Sequence, residues 1–254
     1  MDLGLNGKRA LVSGATRGIG RAIAETLLAE GASVSICART ADGVTAAVAE
    51  MRELAAGGTV YGHATDAADT DAVRDWVAAS AEQLGGIDVF VHNTSGKPAR
   101  DIGGWATNFQ IDLMALVHGV DAATAALSDG GGCVVSIGTT AAAEHFATGA
   151  NSYSALKAAV TNWTLGQAQV LGPTGIRCNV VSPGPIFFEG GDWDMIRQHM
   201  EPFFDQTRQA HPGGELGSAQ DVADVVAFVA SDRARHVNGV NITVDGGFLK
   251  RVDY

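Results

Sequence analysis

Short apolar runs alternate with longer amphipathic stretches along the whole chain, and this alternation constrains the fold more than any other feature. Most of the runs are β-branched and continuously apolar, as expected for strands buried on both faces of a sheet. Repeated strand-then-helix order requires right-handed crossovers, which give a parallel sheet covered by helices on both faces. The predicted strands are 8–13, 33–38, 59–63, 87–92, 132–138, 176–182 and 240–244. The predicted helices are at about 18–30, 41–55, 68–84, 105–127, 151–171 and 218–230.

No linker or internal repeat interrupts this pattern, so residues 1–254 are predicted to form a single α/β domain. The one departure is an aromatic-rich insertion at about 185–217, flanked by glycines and prolines. An insertion at the end of a strand is usually a lid or a dimer contact. Its aromatic side chains indicate either an apolar substrate pocket or packing of the lid onto the domain; they are Phe187, Phe188, Trp193, Phe203 and Phe204.

Charge and residue usage exclude several functional classes. The formal net charge of −11 disfavours nucleic acid and acidic membranes as partners. The N-terminus lacks a leader pattern, and no apolar run approaches the roughly 18–20 residues of a membrane span, so we expect a cytoplasmic enzyme. Three dispersed cysteines and seven histidines without ligand spacing predict buried thiols and no metal site.

The first predicted strand ends in the glycine-rich turn "SGATRGIG", followed directly by a helix. Glycine lets the backbone approach a pyrophosphate closely, and the helix N-terminus supplies free N–H groups and a positive dipole end. Although glycines also simply end strands, this strand–turn–helix context favours phosphate binding. The predicted contacts are Gly14, Thr16, Arg17, Gly18, Ile19 and Gly20.

The end of the second predicted strand, "SICART", indicates which nucleotide is bound. A carboxylate normally stands there when the ribose carries a free 2′-hydroxyl, but this chain has Ala38 and then Arg39. Arg39, with Arg17 as a second cation, suits a 2′-phosphate, so NADP(H) is favoured over NAD(H). The alternative is that both arginines are solvated surface residues.

Asp66, after the third predicted strand, has two interpretations. Its carboxylate suits the adenine amino group, and it also suits the N-cap of the following helix.

Tyr153 and Lys157 are four residues apart, which places them on one face of a helix. Either the two side chains are a chance pair on an exposed helix surface, or the lysine adjusts the pKa of the phenol for acid–base catalysis. A cation at roughly 4–6 Å favours phenolate and lowers the phenol pKa from ~10.

Taken in order, five motifs identify a resemblance to the short-chain dehydrogenase/reductase family in its single-domain form. They are "GATRGIG" at 14–20, "HNTSG" at 92–96, "YSALK" at 153–157, "SPGPI" at 182–186 and "VDGG" at 244–247. The layout is most similar to the 3-oxoacyl-carrier-protein reductase branch. The resemblance implies a doubly wound Rossmann fold with strand order 3-2-1-4-5-6-7 and hydride transfer between a nicotinamide and a carbonyl or alcohol carbon. It also implies a homodimer or homotetramer formed through the helices at about 105–127 and 151–171.

Carried onto this chain, the resemblance makes Tyr153 the general acid/base and Lys157 its tuning cation and a ligand of the nicotinamide ribose. The family's substrate-orienting serine is replaced by Thr139 or Thr140: strand alignment favours Thr139, whereas the usual spacing to the tyrosine fits Thr140. Its relay asparagine is replaced by Asp112, whose charge would raise the tyrosine pKa unless it pairs with Lys157 or is protonated. Alternatively, Asp112 is a solvated or backbone-bonded helix residue.

The remaining implied cofactor contacts follow the fourth and sixth strands. They are Asn93, Ser95, Gly96, Pro183, Gly184 and Ile186. His92 is interpreted as a packed strand end. Phe188 stands where the family often has a cofactor-binding threonine, so one contact is missing.

These features predict an NADP(H)-dependent oxidoreductase acting on a small-molecule carbonyl or secondary alcohol. The alternatives are an NAD-dependent alcohol dehydrogenase of the same family and a non-catalytic NADP-binding protein. The sequence does not choose a substrate, because one fold supports many.

Overall fold

The centre of the protein is a parallel sheet of seven strands, seen in a computed structural model that describes residues 1–127, 129–145 and 149–250. These strands are β1 (Arg9–Ser13), β2 (Ser33–Ala38), β3 (Val60–Ala64), β4 (Val89–His92), β5 (Gly132–Ile137), β6 (Ile176–Pro183) and β9 (Asn241–Val244). Two-residue strands β7 (Ile186–Phe187) and β8 (Gly217–Ser218) pair separately. The sheet order is β3-β2-β1-β4-β5-β6-β9, and every neighbouring pair is parallel. The doubly wound fold and its strand order are therefore confirmed, with strand bounds within two residues of those predicted.

Helices cover both faces of the sheet and divide the core in two. They are α1 (Gly18–Ala29), α2 (Ala41–Arg52), α3 (Thr70–Leu84), α4 (Ile102–Asn108), α5 (Ala115–Leu127), α6 (Ser152–Leu171), α7 (Asp192–His199), α8 (Glu201–Ala210) and α9 (Ala219–Ala230). One core cluster takes side chains from α1, α2 and α9, and the other from α3, α5 and α6. Within the described residues, no helix has the length and apolarity needed to cross a membrane.

The helix predicted at about 105–127 is not one α-helix. A π-helical segment, Phe109–Met114, separates α4 from α5. The periodicity of the sequence does not reveal this break, because a single wider turn barely disturbs the spacing of apolar residues. Such turns often occur at functional sites, and this one carries Asp112.

The insertion has a fixed base and an aromatic interior. The pair β7–β8 joins its two ends, and α7 and α8 lie between them. Phe187 meets Phe204 edge-on with ring centroids 6.2 Å apart, and Trp193 stacks on Phe203 at 5.9 Å. Four of the five aromatic side chains therefore pack against one another, which supports the packing interpretation for those four.

All three cysteines are buried free thiols, as predicted. Burial raises the pKa of the Cys37 thiol to about 12 and that of Cys133 to about 11, so both are inert at neutral pH. Among the described residues, no group of three or more His, Cys, Asp or Glu side chains is arranged to hold a metal ion.

Candidate active site at the carboxyl edge of the sheet

The glycine-rich turn between β1 and α1 has the backbone that its sequence predicts. Gly14 and Gly18 have φ angles of +64° and +58°, in the left-handed region that favours glycine. A Cβ on Gly20 would lie 2.4 Å from the Gly14 carbonyl oxygen, so the turn closes tightly on itself. No side chain caps the start of α1, and its first turn contains no acidic residue. Its free N–H groups are therefore suited to an anion.

Asn93 connects this turn to the end of β4. Its Nδ2 donates to the carbonyl oxygens of Ser13 and Gly14 at 3.1 and 3.0 Å. The backbone N–H groups of Asn93 and Thr94 donate to the Ser13 hydroxyl at 2.9 and 3.1 Å. Ser13 was not singled out from the sequence, and its only signal there is its place at the carboxyl end of the first strand.

Phe188, which replaces the family's threonine, lies directly over the glycine-rich turn. A Cβ on Gly18 would be 2.6 Å from Cζ of its ring. Arg17 also contacts this part of the insertion, since its Nη1 donates to the Gly190 carbonyl at 3.1 Å. The ring and the arginine together hold the start of the insertion against the turn.

Arg39 and Asp66 lie at the same edge of the sheet, because Ala38 of β2 is in register with Ala64 of β3. Both side chains are exposed. The N-cap of α3 is Asp69, which accepts from the N–H groups of Asp71 and Ala72 at 3.0 and 3.2 Å. The capping interpretation of Asp66 is therefore wrong: its Oδ1 accepts from Ala68 N at 3.0 Å within the preceding turn.

Tyr153 and Lys157 both lie in the first turns of α6, which Asn151 caps by accepting from Ser154 N at 3.0 Å. Lys157 is buried, and its Nζ donates to the Ile137 carbonyl at 2.8 Å. The interpretation of the pair as an exposed surface contact is therefore wrong for the lysine.

Thr139 is the threonine beside Tyr153. Its hydroxyl opposes the rise in the Tyr153 pKa, and its Oγ1 accepts from Ala141 N at 3.2 Å. Thr140 is almost fully buried and begins a short 3-10 turn. Of the two candidates that the sequence left open, Thr139 is the one that affects the pKa of the phenol.

Asp112 is buried, although the sequence left open a solvated helix residue. Its Oδ1 lies 3.7 Å from Lys157 Nζ, with both side chains almost fully excluded from solvent. The same oxygen accepts from the Ser95 hydroxyl at 2.5 Å, and Oδ2 accepts from Gly96 N at 3.0 Å. The carboxylate therefore joins Lys157 to the loop after β4.

His92, at the end of β4, is buried and is bound to the π-helical segment. Its Nε2 lies 3.0 Å from the carbonyl oxygen of Asp112. Burial lowers the His92 pKa to about 3, and the charge of Lys157 acts in the same direction. The imidazole is therefore neutral at pH 7, and since its partner is a carbonyl, Nε2 is the donor.

The electrostatics of Tyr153 differ from the prediction. Burial raises its pKa, a hydrogen bond from Thr139 opposes that rise, and the charges of Asp112 and Asp192 add to it. Burial also lowers the pKa of Lys157, against the effect of Asp112. The expected lowering of the tyrosine pKa by Lys157 is therefore not found, because burial and the charges of Asp112 and Asp192 raise that pKa instead.

Two buried side chains fix the loop after β4 over the start of α6. Asn108 Nδ2 donates to the Lys97 carbonyl at 2.6 Å and to the Ser152 hydroxyl at 2.7 Å. Ser152 Oγ accepts from Ala99 N at 3.0 Å. Neither residue was identified from the sequence, because both belong to ordinary helical patterns and act only through long-range contacts.

Pro183 and Gly184 end β6 at the same edge. Gly184 N donates to the Val244 carbonyl at 2.9 Å, and a Cβ on Gly184 would lie 2.6 Å from Cβ of Asp245. Ile186 lies in β7 with its side chain in the core. The predicted cofactor contacts from the first, second, fourth and sixth strands thus lie at one edge of the sheet.

A doubly wound sheet with a glycine-rich turn after its first strand, and with a tyrosine, a lysine and a threonine beside the strand ends, is typical of dinucleotide-dependent oxidoreductases. The family model described as Enoyl-(Acyl carrier protein) reductase matches residues 14–249. Isoepoxydon dehydrogenase from Penicillium expansum is 35% identical over 254 residues, which cover 97% of this chain and 96% of that protein. The chain belongs to the short-chain dehydrogenase/reductase family and is an enzyme of that family.

Solved structures agree with this assignment. A short-chain dehydrogenase from Burkholderia cenocepacia J2315 in complex with NADP has a TM-score of 0.84 at 35% identity, covering 96% of this chain and 98% of that one. A 7α-hydroxysteroid dehydrogenase complexed with NADH and 7-oxo glycochenodeoxycholic acid has a TM-score of 0.88 at 28% identity, covering 99% and 98%.

Proposed function

We propose that this enzyme transfers a hydride between NADP(H) and a carbonyl or secondary alcohol, with Tyr153 as the general acid/base. The observation that carries the proposal is the Tyr153 phenol, which interacts with Thr139 at the carboxyl edge of the sheet, on the same helix as Lys157 of the buried Lys157–Asp112 pair. Reduction of a carbonyl needs a proton on oxygen as well as a hydride on carbon, and a positioned phenol supplies that proton.

A bound nicotinamide would supply or accept the hydride. The residues of the chain bind the cofactor, orient the substrate and transfer the proton. Thr139 orients the substrate oxygen towards the phenol, Tyr153 transfers the proton, and Lys157 binds the nicotinamide ribose. The glycine-rich turn and the uncapped start of α1 fit a pyrophosphate. Asn93 fits its predicted role by holding the β4 loop against that turn.

Arg39 supports NADP(H) as the preferred cofactor. Similar solved structures contain NADP in one case and NADH in another, so similarity to these proteins does not decide which cofactor is preferred. Arg39 is exposed just after β2, and within the described parts of the chain no ion pair involves it. A guanidinium in that position gains bidentate hydrogen bonds from a 2′-phosphate and little from a hydroxyl.

Arg39→Ala is expected to raise the Kd of NADPH about 10- to 100-fold, since hydrogen bonds to charged groups contribute about 1.5–3 kcal/mol. The Kd of NADH should change by less than about twofold. Titration calorimetry with both cofactors measures the difference. Arg52→Ala is the matched control, because Arg52 is also exposed but ends α2, at the far end of that helix. Equal weakening of both cofactors by Arg39→Ala would contradict the assignment.

Phe188→Thr is expected to lower the Kd of NADPH about fivefold. The ring covers Gly18, where the pyrophosphate is proposed to bind, and displacing a half-buried ring costs about 1 kcal/mol. Fluorescence titration measures the change. Phe187→Ala is the control, because Phe187 packs on Phe204 and does not cover the turn. Weaker NADPH binding by Phe188→Thr would mean that the ring stacks on the cofactor instead.

The function itself is tested by incubating the purified enzyme with NADPH or NADH and a panel of β-ketoesters, cyclic ketones, steroids and sugars. Turnover with NADPH well above that with NADH is the expected result. Preferential turnover with NADH would favour a catabolic alcohol dehydrogenase. Cofactor binding without turnover of any substrate would favour a non-catalytic binding protein.

We also propose that the enzyme is a homo-oligomer, formed through α4, α5 and α6. Ile102 and Val170 are 84% and 65% exposed, and Phe109 in the π-helical segment is 40% exposed. Large apolar side chains at this exposure favour a contact that buries them. Light scattering after size exclusion distinguishes a dimer or tetramer from a monomer.

A further inference from the structure

An ion pair joins the two segments that border the candidate active site. Lys97 lies in the loop after β4, and Asp192 lies in the first turn of α7. Although these residues are 95 positions apart, Lys97 Nζ donates to Asp192 Oδ1 at 3.3 Å. Their side chains are 78% and 68% exposed. The pair therefore connects the loop after β4 to the insertion at the surface of the protein.

The loop that carries Lys97 is fixed over the start of α6. The Lys97 carbonyl accepts from Asn108 Nδ2 at 2.6 Å, and the same nitrogen donates to the Ser152 hydroxyl at 2.7 Å. Ser152 N donates to the Ala99 carbonyl at 2.9 Å. Because Ser152 directly precedes Tyr153 in the chain, these bonds hold the Lys97 backbone beside the segment that carries the phenol.

The carboxylate of this ion pair acts on the Tyr153 phenol. The charges that contribute to the raised pKa of Tyr153 are those of two carboxylates, Asp112 and Asp192. Asp112 is completely buried, whereas Asp192 is exposed and so borders the space that a substrate must enter. A substrate carbonyl that receives the phenol proton lies within reach of the Asp192 charge, and that charge repels any anionic group on the substrate.

The Lys97–Asp192 pair contributes little to the stability of the fold. Both side chains are largely exposed, and an exposed ion pair gains little from Coulomb attraction in water. Variants of either residue should therefore fold like the wild type, so that a change in activity reports the local charge. Asp194 on the same helix is unsuitable for such a test, because it is buried and accepts from Gly190 N at 3.0 Å.

We propose that Asp192 is a specificity-determining residue, through which the enzyme selects uncharged carbonyl substrates and rejects 2- and 3-oxo acids. The inference rests on the proposed function, since it concerns the substrate of the same site. Lys97 holds the carboxylate at the border of the site and offsets part of its charge. The uncharged ester of an oxo acid meets no such repulsion, so the enzyme discriminates between two forms of one carbon skeleton.

Acetoacetate and ethyl acetoacetate form the matched substrate pair, because they share the reacting carbonyl and differ by one negative charge. The measured quantity is kcat/KM for the ester divided by kcat/KM for the acid. Asp192→Asn should lower this ratio about two- to fivefold, and Lys97→Met should raise it by a similar factor. The two variants break the same ion pair but change the local charge in opposite directions. A merely structural role of the pair would move the ratio in the same direction in both.

Asp205→Asn is the matched control for these variants. Asp205 is an exposed aspartate of α8 in the same insertion, where it pairs with Arg208 at 3.4 Å. Removing its charge should leave the ester-to-acid ratio unchanged. A ratio that Asp192→Asn does not change, or that both Asp192→Asn and Lys97→Met move in one direction, would overturn the proposal.

A second measurement does not depend on turnover. Because the charge of Asp192 adds to the raised pKa of Tyr153, that pKa should fall in Asp192→Asn and rise further in Lys97→Met. NMR titration of protein with isotope-labelled tyrosine follows the phenol, and Tyr153→Phe identifies its signal. An unshifted Tyr153 pKa in both variants would also overturn the proposal. If the pKa shifted as expected but wild type reduced no carbonyl, the proposed function would fail and the effect of Asp192 on the phenol would stand.

Discussion

Tyr153→Phe is expected to lower kcat/KM for carbonyl reduction by about 10²- to 10⁴-fold, the usual contribution of a positioned general acid. The phenol oxygen is the group proposed to transfer the proton, and phenylalanine keeps the ring while removing that oxygen. The Kd of NADPH should stay within about twofold of wild type, because most of the predicted cofactor contacts lie on other elements. Steady-state kinetics and calorimetry on the same preparation separate the two effects.

Tyr61→Phe is the matched control. Tyr61 lies in β3, away from α6, and should lose little activity when its hydroxyl is removed. Substantial activity in Tyr153→Phe would show that another group donates the proton.

The raised pKa of Tyr153 fixes the direction of the pH dependence. A phenol whose pKa lies above its usual value stays protonated through neutral pH, so carbonyl reduction by wild type should be level there and fall only at alkaline pH. Alcohol oxidation, which needs the phenolate, should rise over the same alkaline range.

Asp112→Ala is expected to destabilise the protein by about 3–5 kcal/mol, the usual cost of removing one partner from a buried ion pair. Lys157 would then be left buried without a counter-charge, and the Ser95 hydroxyl and Gly96 N would lose their acceptor. Urea unfolding at one fixed protein concentration measures the loss.

Two variants control for this effect. Asp71→Ala breaks an exposed pair with Arg74 and should change stability little. The double variant Asp112→Leu with Lys157→Met removes both charges and should recover much of the lost stability. An Asp112→Ala protein as stable as wild type would mean that Lys157 is neutral in the folded enzyme.

The sheet could be predicted from the sequence because its strands are local signals. Each is a short, continuously apolar run, and parallel strands buried on both faces have that composition. The glycine-rich turn was predictable for the same reason, since Gly14 and Gly18 adopt the left-handed backbone at positions set by the neighbouring strand and helix.

The geometry around Asp112 could not be predicted in this way. The sequence raised a pairing with Lys157 as one possibility, but the π-helical segment that buries the carboxylate leaves the apolar pattern almost unchanged. The same holds for Arg17, whose contact with Gly190 joins residues 173 positions apart. For Asp66, the capping pattern was present, but Asp69 was the residue that used it.

The short ladder between β7 and β8 has a consequence for how this enzyme can diversify. Gly217 N donates to the Pro185 carbonyl at 3.1 Å, so the two ends of the insertion at about 185–217 are hydrogen-bonded to each other. Lengthening a loop whose ends are already joined costs little entropy, about 0.6 kcal/mol for each doubling. We therefore expect that helices α7 and α8 can be exchanged for those of another family member while the rest of the domain stays folded, although the exchange also replaces Asp192 of α7, whose charge raises the pKa of Tyr153.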